Sequence, residues 1–145
     1  MGAADDRVSV LGHWHANLVR IGRWPLVVCV NDRTLLLVLV PGRDFGSMLT
    51  QFRARYVACL ERLAIPAALI EAEMSATQNI QVDRTDNRSV LGSMNDFVNL
   101  IRWRVYSEST LPDADTLEDD LADTPMSALK YALPSEATRT AFLGQ

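Results

Sequence analysis

The sequence predicts an α+β domain in which an antiparallel sheet of three to four strands is packed by two long helices. Two short apolar runs rich in β-branched residues, 26–30 and 35–40, predict strands that are covered on both faces. Two longer segments, Phe45 to Leu63 and Asn87 to about Tyr106, repeat apolar residues at three- and four-residue intervals. That spacing predicts amphipathic helices that cover the sheet.

Length and composition set the domain count and the class of protein. With 145 residues, 48% of them hydrophobic, the chain can bury one core. We expect a short N-terminal extension over residues 1–11 and a single globular domain over residues 12–145. The formal charge of −4 argues against a nucleic-acid partner. No run reaches the roughly 18 apolar residues of a membrane span, and Asp5 and Asp6 precede any apolar run. We therefore expect a soluble, cytoplasmic protein without a membrane partner.

The first strand is predicted after Gly12, where HWHANLVRI alternates imperfectly. One face carries His13, His15, Asn17, Val19 and Ile21, and the other carries Trp14, Ala16, Leu18 and Arg20. Gly22 to Pro25 turns the chain into the first apolar run. Between the two apolar runs, Asn31 and Asp32 begin a hairpin turn in which their side chains can bond to nearby backbone. An antiparallel three-stranded meander is the simplest topology.

The helical half of the chain follows from Pro41 onwards. Asp44 is the predicted N-cap of the first long helix, and Pro66 opens a shorter helix that ends at about Ala76. Gln78 to Arg84 alternates as a short edge strand would. After the second long helix we expect at most a short helix around Thr116 to Ala122. Pro134 opens a last helix, so that a C-terminal tail packs back on the core.

Cysteine and histidine content limits metal chemistry. Cys29 and Cys59 both lie in apolar settings, which favours buried reduced thiols over a disulfide. His13 and His15 could place two imidazoles on one side of a strand, but a catalytic zinc needs a third protein ligand. A carboxylate could supply that ligand, yet nothing in the spacing requires one. We therefore expect neither a metal nor a cofactor.

Charge is distributed unevenly along the chain. Between Val105 and Leu129 there are seven acids and no base, and thirteen of the fourteen bases are Arg. We favour a solvated acidic loop here, and the alternative is an internal mask over an Arg-bearing face. Trp103 lies between two arginines, nearly opposite the main apolar face of its helix. It is either exposed, where it could stack a nucleotide, or covered by the C-terminal tail, which we favour.

Polar residues in three segments form the candidate site. The ligand-binding set is His15, Asn17, Asp32, Arg88, Asn95 and Asp96. Asp32 could orient the imidazole of His15 across the end of the sheet. Gly92 costs the interior of a helix about 1 kcal/mol relative to Ala, which suggests close approach by another backbone or a ligand.

Four stretches carry a family resemblance: WHANL at 14–18, VND at 30–32, NRSVLGSMND at 87–96 and TPMSALKY at 124–131. In this order they resemble a family of small, uncharacterised bacterial proteins catalogued as a domain of unknown function. The similarity runs from about residue 12 to residue 143. The positions that match its polar motifs are Trp14, His15, Asn17, Asn31, Asp32, Arg88, Ser89, Asn95 and Asp96.

The resemblance implies positions and no reaction. Members of the family usually carry an additional strand and helix before the WHAN motif, where this chain has about a dozen residues. An open sheet edge is therefore expected, and with it a candidate homodimer through that edge.

Three hypotheses for function follow from these residues. The leading one is a non-enzymatic binding or regulatory module whose site takes an unknown protein or a small anionic ligand. The alternative is a hydrolase or nuclease acting on a phosphate ester, with His15 as general base, Asp32 or Asp96 orienting it and Arg88 on the anion. In a third, every motif is structural. We favour the absence of catalysis because no activated nucleophile is evident.

Overall fold

The fold is α+β, with the predicted antiparallel meander at its centre. The computed structural model describes residues 9–42, 47–76, 82–83 and 87–144. Its strands are β1 (Trp14–Ile21), β2 (Trp24–Asn31), β3 (Leu37–Pro41) and β4 (Val82–Asp83), in the order β3-β2-β1-β4. The first three are antiparallel, whereas β4 runs parallel to β1 beside Trp14 and His15. The predicted fold class is confirmed.

The helices agree closely with the sequence periodicity. They are α1 (Met48–Arg62), α2 (Ala67–Ala76), α3 (Arg88–Glu108), α4 (Ala114–Ala122) and α5 (Pro134–Leu143), with a short 3₁₀ helix at Ser127–Leu129. The side chain of Asn87 caps α3 by accepting hydrogen bonds from the N–H groups of Ser89 and Val90. The predicted cap Asp44 lies outside the described residues, as do most positions of the predicted edge strand from Gln78 to Arg84.

The sheet separates two apolar layers, because alternate residues of each strand point to opposite faces. On one face Trp14 packs edge-on against Phe52 and Tyr56 of α1, with ring centroids 5.0 Å apart in each pair. On the other face Met94 and Phe97 of α3 pack on the strands. Residues of α5 pack with the first layer, so the tail returns to the core as predicted.

The turn between β2 and β3 is built around one buried side chain. Asn31 accepts hydrogen bonds from the N–H groups of Arg33 and Thr34 through Oδ1, at 3.0 and 2.9 Å. Its Nδ2 donates to the carbonyls of Leu11 and His13. The amide therefore satisfies four backbone groups at the point where the chain reverses. This contact pattern gives Asn31 a structural role.

Helix α4 covers the outer edge of β3 with a buried carboxylate. Glu118 accepts the N–H of Leu39 at 2.8 Å and the guanidinium of Arg62 at 2.8 Å, and it also accepts from Arg55. Asp115 and Asp119 complete the set of ion pairs with the same two arginines. The prediction of a solvated acidic loop is wrong for this segment. Its carboxylates bind the edge strand β3 and the arginines of the neighbouring helix α1. The stretch masks Arg55 and Arg62 of α1.

A second buried carboxylate fixes the start of the described chain. Glu73 of α2 accepts hydrogen bonds from the hydroxyl of Tyr56 at 2.6 Å and from Ser9 Oγ and the N–H of Val10, both at 2.7 Å. These contacts hold residues 9–11 against α2. None of the described helices is long and apolar enough to cross a membrane.

Both cysteines are buried free thiols, as predicted. Burial, with the nearby charge of Glu118, raises the pKa of Cys29 to about 12. The same two causes raise the pKa of Cys59 well above its usual value. Both groups therefore remain protonated at neutral pH and are poor nucleophiles.

Candidate functional site

The structure brings two of the predicted site residues into contact. Strand β1 carries His15, which is 8% exposed, and Asp32 follows β2 in the adjacent turn. The N–H of Asp32 donates to the carbonyl of His13 at 3.2 Å, which holds the turn against the start of β1. As a result His15 Nε2 and Asp32 Oδ2 lie 3.4 Å apart. The predicted proximity of this pair is confirmed.

The second ring nitrogen of His15 distinguishes it from a fully satisfied core histidine. Nδ1 is buried and has no hydrogen-bond partner within the described part of the chain. The ring of His13 lies beside it, with centroids 4.9 Å apart. Buried polar atoms are rarely left unpaired, so this nitrogen is an exception within the described structure. Asp32 lies against the other ring nitrogen, Nε2, and can orient the imidazole.

Asn17 connects the strand to the helix that carries the rest of the predicted site. Its side-chain Nδ2 lies 3.6 Å from the sulfur of Met94 on α3. His15 and Asn17 alternate on the same face of β1, and that face is the one covered by α3. The side chains of His15 and Asn17 therefore lie on the same side of the sheet as α3.

The α3 members of the predicted site point to solvent. Arg88, Asn95 and Asp96 are exposed, and among the residues described here we find no hydrogen bond or ion pair made by their side chains. Arg88 and Asn95 are seven residues apart and lie on one line of the helix. No hydrogen bond or ion pair joins these three to His15 or Asp32 within the same ranges. The residues that the sequence grouped as one site thus occupy a strand end and a neighbouring helix surface.

Three further positions from the family motifs have other surroundings. Trp14 is part of the core, and Ser89 is exposed in the first turn of α3. A Cβ on Gly92 would meet no atom within 4 Å, so no close neighbour within the described part of the chain explains this glycine. Across the described ranges, no group of three or more His, Cys, Asp or Glu side chains is placed to hold a metal ion.

The prediction that the C-terminal tail covers Trp103 is wrong. Trp103 is 66% exposed, and α5 packs instead against the layer on the other side of the sheet. Leu100 and Tyr106 are exposed on the same helix, Tyr106 to 87%. We call these three residues the aromatic stripe. The helical angle of Trp103, nearly opposite the core face, was the signal that could have revealed it.

An apolar cleft lies beside the aromatic stripe. It has a volume of about 170 Å³, with Leu100 and Trp103 of α3 on one side and Leu117 and Leu121 of α4 on the other. Arg104 and Asp120 stand at its rim and form an ion pair, and Arg104 also binds Glu108. The side chain of Arg102 instead points towards β1, where its Nη2 donates to the carbonyl of Arg20 at 3.3 Å.

Comparison with known proteins gives a family without an assigned activity. No curated protein matches the chain. A family model described as a domain of unknown function, DUF6933, matches residues 2–137 of the 145. Because this match spans nearly the whole sequence, the chain belongs to that family of domains of unknown function.

Proposed function

We propose that this protein is a non-catalytic binding module. Its ligand or partner docks on the polar patch, which we define as His15, Asn17, Asp32, Arg88, Asn95 and Asp96. The observation that carries the proposal is the unused hydrogen-bonding capacity of the α3 members. Arg55, Arg62 and Arg104 are all committed to ion pairs, whereas we find no such partner for Arg88 among the described residues. Polar groups that the fold does not use are available for recognition.

The chemistry of the patch favours an anionic group on the ligand. The guanidinium of Arg88 can bind a carboxylate or a phosphate through two parallel hydrogen bonds. The amide of Asn95 can add a donor on the same line of the helix. A small anion and an acidic segment of a partner protein share this chemistry, so both are included in the proposal.

Two measurements test the patch and separate its two ligand sources. Titration calorimetry with inorganic phosphate and with glutamate tests the small anion, and affinity capture from a bacterial lysate tests the protein. The double variant Arg88→Ala/Asn95→Ala should lose whichever binding the unmodified protein shows. The control is Glu71→Ala, at an exposed residue of α2 on the other side of the sheet. Equal binding by the double variant and the unmodified protein, with folding intact, contradicts the assignment.

A second candidate is phosphate-ester hydrolysis, which the contact between His15 and Asp32 favours. In this geometry Asp32 can orient the ring of His15, the residue predicted as general base. The test is turnover of bis-p-nitrophenyl phosphate by the unmodified protein and by His15→Asn. Turnover that disappears in the variant supports catalysis, and absence of turnover in the unmodified protein rejects it.

The proposal has two further parts. A second copy of the chain binds at the outer edge of β1, and the protein works in the cytoplasm. The two unpaired thiols support that compartment. For the edge, the support is that, within the described residues, β4 pairs with Trp14 and His15 and not with the rest of β1. The carbonyl of Arg20 points outward to Arg102, and strand alternation then directs the N–H of Leu18 outward as well.

A proline placed on this edge tests the pairing. Leu18→Pro removes an outward N–H, which an edge strand tolerates, and should reduce a dimer to monomers in sedimentation equilibrium. The matched control is Leu18→Ala, which keeps the N–H and should remain dimeric. A monomeric unmodified protein at high concentration rejects the partner copy.

A further inference from the structure

We infer that the aromatic stripe and its cleft form a second docking surface, which takes an amphipathic helix of a partner protein whose apolar residues are flanked by Lys or Arg. The surface uses the C-terminal half of α3 together with α4. It does not depend on the polar patch, whose α3 members lie in the N-terminal half of α3.

The spacing of the stripe suits a helical partner. Leu100, Trp103 and Tyr106 follow one another at intervals of three residues, so they form an oblique row along the exposed side of α3. Large apolar side chains in a row are the anchors that helices use when they pack against each other. Trp and Tyr are also the residues that contribute most to protein interfaces, because they bury a large rigid surface.

The cleft provides a pocket for one anchor of the partner. Its walls are apolar, with Leu117 and Leu121 facing Leu100 and Trp103, and its volume is about 170 Å³. Apolar cavities of about 150 Å³ accommodate a benzene ring. A single Leu, Met or Phe side chain of a partner helix therefore fits the space that the stripe leaves open.

The surrounding charge determines the sign of the partner. Arg104 is shared between Glu108 and Asp120, so this group of three carries a net negative charge, while the side chain of Arg102 is turned away towards β1. The exposed Asp123 accepts a hydrogen bond from the hydroxyl of Ser135, and we find no cation paired with it in the described structure. A phosphate backbone would be repelled here, which argues against a nucleotide stacked on Trp103. A cationic helix is attracted by the carboxylates and by the exposed rings.

A pair of designed peptides tests this inference. The probe is a labelled 18-residue helix of Leu and Lys, and its control has the same Leu positions with Glu in place of Lys. We expect the Lys peptide to bind, as measured by fluorescence anisotropy, and the Glu peptide to bind at least tenfold more weakly. Raising the salt concentration should weaken the Lys complex, because exposed charges are screened.

Variants assign the binding to the stripe. Trp103→Ala should weaken the Lys peptide at least tenfold, and Leu100→Ala should weaken it less. Tyr131→Ala removes an aromatic that is 72% exposed but does not line the cleft, and it should change nothing. Arg88→Ala/Asn95→Ala should also leave peptide binding unchanged, which separates this surface from the polar patch. Thermal melts confirm that each variant is folded.

Four results would overturn the inference. Equal affinity for the Lys and Glu peptides would show non-specific apolar adhesion. Unchanged Lys-peptide binding by Trp103→Ala would place the contact elsewhere. Self-association that Trp103→Ala abolishes would assign the stripe to a second copy of this chain. Quenching of the fluorescence of Trp103 by single-stranded DNA would assign the stripe to nucleic acid.

Discussion

Replacing Glu118 tests whether α4 is held on the sheet by its buried carboxylate. The residue is 1% exposed and joins Leu39 of β3 to Arg55 and Arg62 of α1. Glu118→Gln keeps an acceptor for the N–H of Leu39 but removes the charge that binds the arginines. Glu118→Ala removes both and leaves that N–H without its partner.

The expected loss of stability follows from these contacts. A hydrogen bond to a charged group contributes about 1.5–3 kcal/mol. The side chains of Arg55 and Arg62 remain 25% and 24% exposed and keep Asp115 and Asp119 as partners, so part of that contribution survives. We expect Glu118→Gln to lower the free energy of unfolding by about 1–2 kcal/mol. Glu118→Ala adds an unsatisfied buried donor and should cost about 3–4 kcal/mol.

Urea denaturation followed by circular dichroism measures these losses. For a domain of this size each kcal/mol corresponds to a fall in Tm of roughly 3 °C. The matched control is Asp119→Ala. The carboxylate of Asp119 also binds Arg62 but is 53% exposed, so its loss should cost less than about 1 kcal/mol. If Glu118→Ala is no more destabilising than Asp119→Ala, the proposed role of the buried carboxylate is refuted.

Three further outcomes are expected. Cys29 and Cys59 should not react with Ellman's reagent at pH 8 in the folded protein and should both react in denaturant, because burial raises their pKa values; rapid native labelling contradicts this. Above pH 9 the unfolded chain releases the Cys29 proton while the folded chain keeps it until about pH 12, so the unfolded state binds fewer protons and stability should fall as pH rises. The slope is up to about 1.4 kcal/mol per pH unit for this group, and urea midpoints from pH 8 to 11 should fall less steeply in Cys29→Ala. His15→Ala should lower Tm by several degrees, whereas Asp96→Ala should stay within about 0.5 kcal/mol of the unmodified protein; equal losses would favour a purely structural role for both.

Local patterns were sufficient to predict most of the architecture. Alternation and apolar runs located β1, β2 and β3, and the three- to four-residue spacing located α1 and α3, because burial imposes those periods directly. The turn role of Asn31 was also readable, since its side chain bonds to residues two and three positions away.

Contacts between distant residues were not readable in the same way. Glu73 and Glu118 are carboxylates that composition assigns to the surface, yet their partners lie far away in sequence, at Ser9 and Arg55. The candidate site shows the same limit. The pairing of His15 with Asp32 followed from the hairpin, whereas the separation of the α3 residues from that pair depends on how the helix packs. Trp103 was misplaced because the side of the sheet chosen by α5 is a property of the whole chain.

The coverage of the sheet has a consequence for how large an assembly can grow. In the described structure Glu118 occupies the outer side of β3 at Leu39, while residues 16–20 of β1 have no strand on their outer side. If two chains join along β1, the outer edges of the combined sheet are the two β3 strands. On each of these, Glu118 already accepts the N–H of Leu39. A third chain that added at β3 would have to displace that carboxylate, so this arrangement favours a closed pair over an open-ended fibre.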